Sequence, residues 1–249
     1  MSNLSDIGFP ARGDQEIYEL IQKVLPYVAT NPCSRGFYYA FTDESGAEIY
    51  LQANIGQELV GFNPHFAGKS RRKVTLTAAV ERESSELDGG FKASAKTTES
   101  DDENSGDYSF VFDVPDFLTV GEIDFPQVVE IQLTAFASND FKIYDDENDF
   151  LKSREEAENK LDAKTFIPGG QFAEAEDKES PPRPIAMIIG EIKEYELRTN
   201  KMSGENFYWF LAETSGGEID VVADPKLLPD EPQLGGIIRG NFWLSGKIL

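Results

Sequence analysis

The sequence predicts a mostly β, α+β fold of two domains that contain related β-hairpin modules. Three observations predict it. First, Phe37 to Asn54 aligns without gaps on Phe207 to Asp224, with seven identities: Phe37/Phe207, Tyr38/Tyr208, Ser45/Ser215, Gly46/Gly216, Glu48/Glu218, Ile49/Ile219 and Ala53/Ala223. Both copies read as strand, Gly-containing turn, strand. Second, the chain carries 18 Phe and 9 Tyr among 249 residues, a composition that suits pleated, half-buried surfaces. Third, Ala173 to Pro184 combines three prolines with a run of acidic residues and cannot bury itself, which makes it a linker. The expected domains are therefore 1–178, with two helices, and 185–249, rich in β-structure, with the linker at about 173–184.

Side chains alternate faces along a strand, so the register of the hairpins can be read. Phe37, Tyr39 and Phe41 share a face, as do their counterparts Phe207, Trp209 and Leu211. Ile49, Leu51 and Ala53 correspond to Ile219, Val221 and Ala223. Ile49 and Ile219 are both expected to be buried. Gly46 and Gly216 are placed where a short loop needs positive φ.

The remaining elements follow in order. Asp14 reads as an N-cap, and Ile17, Leu20, Ile21, Val24 and Leu25 form one apolar stripe, so a helix is predicted over 15–28 and ends at Asn31-Pro32. Val74, Leu76, Ala78 and Val80 alternate with mostly polar neighbours and give a strand over 72–82, with 91–96 as its partner. Thr97 to Asp107 lacks any apolar residue and reads as a loop. Tyr108 to Val114 is a strand ended by Pro115. Val129, Ile131, Leu133 and Ala135 make a half-buried strand, and 141–144 a short one. Acidic residues at 145–149 favour a helix start, giving a second helix over 147–162. A long strand over 185–197, a turn at 200–204, the second hairpin and a strand near the C-terminus complete the chain. Trp209 and Trp243 are assigned to the core or to hairpins.

Gly190-Glu-Ile192, Gly204 before Phe207 to Leu211, Ser215-Gly216 before Ile219 to Val222, and Gly235 to Ile248 together form a pattern of glycines and alternating apolar residues. This pattern resembles the opening meander of OB-fold modules. The resemblance implies a small Greek-key barrel in 185–249, of a type that often binds oligonucleotides or oligosaccharides.

Charge bears on partners. The net charge is −22, and it is uneven: residues 185–249 hold 6 basic and 10 acidic side chains, the rest of the chain 17 and 35. A field of this sign repels nucleic-acid phosphates, which argues against general nucleic-acid binding, and it attracts a basic partner. Glu99, Asp101, Asp102 and Glu103, in the all-polar loop, are the candidate partner-binding residues. The single cysteine, Cys33, allows no intrachain disulfide, which fits a reducing compartment. No basic and apolar leader opens the sequence, and no apolar run is long enough to cross a bilayer, so a cytoplasmic, membrane-free location is expected.

Few side chains are available for catalysis. His65 is the sole histidine, in Asn63-Pro-His-Phe66, which reads as a turn, and it is assigned a structural or surface role. Any histidine-dependent nucleophile would have to use it. One Cys and one His cannot make a zinc site. Asp145, Glu147, Asp149 and Glu156 have EF-hand-like spacing, but Phe150 stands where the loop needs Gly. No phosphate-binding or dinucleotide-binding glycine motif occurs. No catalytic residue, metal or cofactor is assigned. The sequence thus reads as a non-enzymatic acidic interaction protein, such as an inhibitor or immunity-type protein for a basic partner. An OB-like ligand-binding module and a hydrolase without a recognisable motif are the alternatives.

Overall fold

The computed structural model describes residues 4–82, 85–95, 108–154, 161–169 and 182–249. The expected loop residues Glu99, Asp101, Asp102 and Glu103, and most of the expected linker, lie outside the described residues. The protein is mostly β and contains two sheets.

The first sheet is an antiparallel meander of β1 (Ala29–Cys33), β2 (Gly36–Thr42), β3 (Ala47–Asn54) and β4 (Leu59–Phe66). Helix α1 (Asp14–Val24) precedes it. Its N-cap is Gly13, and Asp14 is the first helical residue, without a capping hydrogen bond. Pro26 permits only a 3-10 turn (Leu25–Tyr27) beyond Val24, so the α-helix stops short of residue 28. Asn63 to Phe66 is strand rather than turn. Pro64 is tolerated because β4 is an edge strand in this sheet, and the same holds for Pro32 on β1. Phe41, Ile49, Leu51 and Phe66 pack in one apolar cluster with Leu4, Ile7, Phe9 and Val24.

The second sheet holds β5 (Arg72–Arg82), β6 (Ser85–Ser94), β7 (Ser109–Asp113), β8 (Gln127–Ala137), β9 (Lys142–Tyr144), β10 (Thr165–Pro168), β11 (Ile185–Thr199), β12 (Asn206–Thr214), β13 (Gly217–Ala223) and β14 (Ile237–Ile248). Its pairings close twice. β5, β6 and β7 form a meander. β7 then lies parallel to β14 at Asp113–Ser245, β14 pairs antiparallel with β8, and β8 returns antiparallel to β5. In the same way β11, β12 and β13 form a meander. β13 lies parallel to β8 from Asp220–Thr134 to Val222–Phe136, β8 pairs with β14, and β14 returns to β11. Each ring has five strands, and β8 and β14 belong to both.

Their length makes this sharing possible. Residues 127–131 of β8 pair with β5 while 134–136 pair with β13. Residues 237–243 of β14 pair with β11 while Ser245 faces β7. Strands from both sides of the expected linker therefore pair directly. Their side chains share one core: Val74, Phe91 and Phe110 from the first ring, Phe210, Ile219 and Ile238 from the second, and Leu133, Ala135 and Leu244 from the shared strands.

The strand order repeats between β5–β8 and β11–β14, whereas the 37–54 hairpin lies in the other sheet. Both expected hairpins form, and Ile49 and Ile219 are both buried. Their registers differ by one residue: Phe37 faces Ala53, but Tyr208 faces Ala223. The second loop is tighter, with Thr214 opposite Gly217, and the positive φ falls on Gly217 (94°) instead of Gly216, while Gly46 has its expected 92°. A one-residue slip reverses the relation between faces. Phe41 and Ile49 share one apolar cluster, whereas Trp209 packs with the first sheet and Ile219 fills the rings.

The second helix, α2 (Glu147–Ser153), is capped by Asp146, whose side chain accepts from the Asp149 amide, and ends well before residue 162. Its Phe150, at the position where a calcium loop needs Gly, is buried against Ala163, Ile189 and Ile237.

Candidate functional site

Three places gather polar chemistry. The first is the crossing of β8 and β14, beneath β4. Asp220, fully buried on β13, accepts four hydrogen bonds: from the backbone amides of Lys69 (2.9 Å) and Ser70 (2.8 Å), from Gln132 Nε2 (2.8 Å) and from Trp209 Nε1 (2.8 Å). Since a carboxylate only accepts, this contact fixes the Gln132 amide. Gln132 Oε1 must then accept from His65 Nε2 (2.9 Å), which leaves His65 Nδ1 to accept from the Ser245 hydroxyl (2.8 Å). Thr134 completes the network by accepting from Gln132 Nε2 (2.8 Å) and donating to the Phe66 carbonyl (2.9 Å). Beside it, Glu48 accepts from Tyr50 (2.9 Å) and from Lys247 (3.1 Å).

Ser245, His65 and Gln132 have the outline of a nucleophile, a base and an orienting group, but the arrangement is sealed. His65 and Ser245 are fully buried, and the clefts described below are not lined by them. Burial lowers the His65 pKa to about 4, so the ring is neutral and its tautomer is set by its two partners. Cys33 lies on β1, at the opposite edge of the four-stranded sheet from His65 on β4. His65 is therefore a structural histidine that ties the first sheet to both shared strands.

No family model matches the chain, and no curated protein or solved structure matches it either.

The second place is a cleft of about 290 Å³ between the N-terminal segment and the ends of β12 and β13. Arg12, Leu197, Asn206, Tyr208, Asp224 and Lys226 line it. Asp6 lies buried nearby and accepts from the Asp224 amide at 2.9 Å. Burial first, then the nearby Asp224 carboxylate, push the Asp6 carboxyl up to about 8, against the effect of that hydrogen bond. Nothing in the local sequence distinguishes Asp6 from a surface acid.

A prediction follows for Asp6. Its folded pKa lies above its unfolded value of 3.8, so its contribution is complete below about pH 4 and is lost as pH rises toward 8. Asp6→Asn keeps the acceptor and removes the titration. Its melting temperature should exceed that of the native chain at pH 8, and the gap should close toward pH 4–5, changing by about 1.4 kcal/mol per pH unit at most. Melting curves of both proteins across this range check it, and parallel pH profiles would reject a buried, titrating Asp6.

A third, acidic hollow of about 530 Å³ is lined by Asp146, Glu147, Asp162, Lys164 and Glu191. Among the described residues, no group of three or more Asp, Glu, His or Cys is placed to hold a metal ion. Nor, among the described residues, is any helix long and apolar enough to cross a membrane.

Proposed function

We propose that this chain is a non-enzymatic interaction protein whose partner is basic, in the manner of an inhibitor or immunity-type protein. The observation that carries this reading is the sealing of His65. The one histidine that could serve as a general base spends both ring nitrogens on buried structural bonds. The net charge of −22 supplies the long-range attraction for a basic surface and works against phosphate backbones.

A second reading rests on strand order. Each ring is a three-strand meander closed by an antiparallel strand and by a strand that runs parallel to the third, and this supports an OB-type Greek-key barrel. On this reading the two barrels are fused through β8 and β14 in place of two separate domains. OB modules commonly bind ligands on the face of strands 2 and 3. In the second ring that face carries Phe207, Trp209, Leu211 and Val222, and it is covered by Leu4, Ile7, Phe9 and Phe66 of the same chain. This coverage favours protein interaction over strand-face ligand binding.

The test is to capture partners from lysate and to measure the association rate of the leading partner against ionic strength. Exposed charges are screened over a Debye length of about 8 Å at physiological salt. Association should slow markedly as salt rises, and charge reversal at Glu99, Asp101, Asp102 and Glu103 should slow it further. A salt-indifferent rate, or a partner as acidic as this chain, would remove the proposal.

A further inference from the structure

We propose that the free edge of β11 pairs with the same edge of a second copy of this chain, joining the second rings of two molecules through one continuous antiparallel sheet. Over residues 185–191 β11 is hydrogen-bonded to β14, but over 193–199 its one strand neighbour among the described residues is β12. Ile192 is the last residue held on the β14 side. Its N–H donates to the Gly236 carbonyl at 2.8 Å, and its carbonyl accepts from the Gly235 amide at 2.9 Å. Gly235, with a φ of 77°, then turns its segment away from the edge. A bulge at Lys193 shifts the alternation of β11 by one residue. At the far end the Asn200 N–H donates to the Glu205 carbonyl at 2.9 Å, on the β12 side. Successive residues of a strand point their backbone groups to opposite sides. Glu194, Glu196 and Arg198 therefore bond toward β12, and the N–H and C=O groups of Tyr195, Leu197 and Thr199 point outward. Among the described residues these outward groups have no backbone partner.

The side chains of this edge say what fits it. Lys193 and Arg198 balance Glu194 and Glu196, in a chain whose net charge is −22. A basic strand gains little from a neutral edge, whereas a second acidic copy meets no repulsion there. Glu196 and Arg198 share one face, bonded at 2.9 Å, and the Glu196 side chain is 59% exposed. Tyr195 and Leu197 share the opposite face and are 39% and 49% exposed, which is high for large apolar side chains in a strand. Edge strands are commonly guarded by proline, as β1, β4 and β10 are by Pro32, Pro64 and Pro168. β11 carries no proline from Ile185 to Thr199.

Symmetry restricts the register. A two-fold axis perpendicular to the sheet sets residues of the same face opposite each other. With Leu197 on the axis, Leu197 faces its own copy, Tyr195 faces the partner's Thr199 and Glu196 faces the partner's Arg198. Every outward N–H then meets an outward carbonyl, and opposite charges lie across from each other on both sides of the axis. Centring the pair on Glu196 would oppose the two Glu196 side chains. Centring it on Tyr195 would oppose Glu194 and Glu196. The edge is thus self-complementary in one register. This pairing is independent of the basic partner proposed above.

The experiment is sedimentation velocity of the full chain at about 0.15 M salt, where repulsion between two acidic chains is screened beyond about 8 Å. At about 100 μM the native chain should sediment at twice its 27.7 kDa and should dissociate on dilution. Leu197→Pro removes an outward N–H and no bond to β12, and an edge position tolerates proline. The monomer should stay folded while association weakens at least about tenfold, because the change enters the dimer twice. Glu196→Arg sets like charges across the axis at an exposed position and should weaken association as well. It decides the matter should Leu197→Pro fail to fold. The register is read by cross-linking in a Cys33→Ser background. Directly opposed residues stand about 5.5 Å apart between Cα atoms, so Leu197→Cys should give a disulfide-linked dimer under oxidised glutathione. Glu196→Cys, whose copies lie diagonally across the axis, should not. A native chain that remains at 27.7 kDa would overturn the proposal. So would a dimer indifferent to both Leu197→Pro and Glu196→Arg, or one in which Glu196→Cys cross-links as readily as Leu197→Cys.

Discussion

Replacing Asp220 by alanine should cost about 3–5 kcal/mol of stability, a fall of roughly 10 °C in melting temperature. The four donors that converge on this carboxylate come from the β4–β5 connection, from β8 and from β12, so one side chain fastens three separated segments to β13. Removing it leaves those donors buried without an acceptor, and each costs on the order of 1–3 kcal/mol when it cannot reach water. A Cβ added to Gly68 would also lie 2.1–2.3 Å from the Asp220 carboxyl group, so the connection is moulded on this residue. Asp220→Asn should lose about half as much, because its amide nitrogen turns one pair of donors into a donor–donor clash. Urea unfolding followed by tryptophan emission is the measurement, since Trp209 donates its indole proton to Asp220. A loss below about 1 kcal/mol for the alanine protein would mean that the network is solvated and that the junction is not a fastening.

How legible this junction was in the sequence depends on the distance between its parts. Individual elements were readable because their signals are local. The alternation over 72–82 gives β5, the stripe from Ile17 to Val24 gives α1, and the long apolar run after Pro184 gives β11. Trp209 in the core and buried Ile49 and Ile219 follow from the same alternation. The junction has no local signal. His65, Gln132, Asp220 and Ser245 come from four strands spread over 180 residues, and each sits among apolar neighbours or in a polar alternation that reads as solvent-facing. Gln132 and Thr134 lie on the polar side of β8 and are nevertheless buried, because β4 and the β4–β5 connection cover that side. Pro64 signals a turn in sequence, and only the position of β4 at a sheet edge makes it a strand residue. Arg72 fits a polar strand start, and its burial depends on β7 and β10 folding over it. The closure of the two rings was hidden for the same reason. It depends on which strands β8 and β14 meet, and alternation specifies faces but not partners.

Deletion of residues 244–249 should unfold both rings together. This segment contains the part of β14 that pairs with β8, from Leu244–Ala135 to Ile248–Ile131, and the Ser245–Asp113 bridge to β7. It also carries Ser245, the partner of His65, and Lys247, the partner of Glu48. Losing the fully buried Leu244 alone costs about 2–5 kcal/mol, and each lost backbone hydrogen bond adds about 1 kcal/mol. Together these approach the 5–15 kcal/mol that holds a typical domain folded. The informative readout is hydrogen exchange resolved by segment. If β8 and β14 are structural members of both rings, protection in β6, which the deletion does not touch, should fall together with protection in β12. A separately folded N-terminal domain predicts the opposite, with β5–β8 keeping its protection while the C-terminal strands open. Gly246→Val is the gentler companion, because its Cβ would come within 2.7 Å of the Phe112 ring and 3.1 Å of the Gln132 carbonyl, wedging the crossing from the inside. Loosening of both meanders by a change at this single crossing, far along the chain from β6, would distinguish shared strands from two barrels that merely touch.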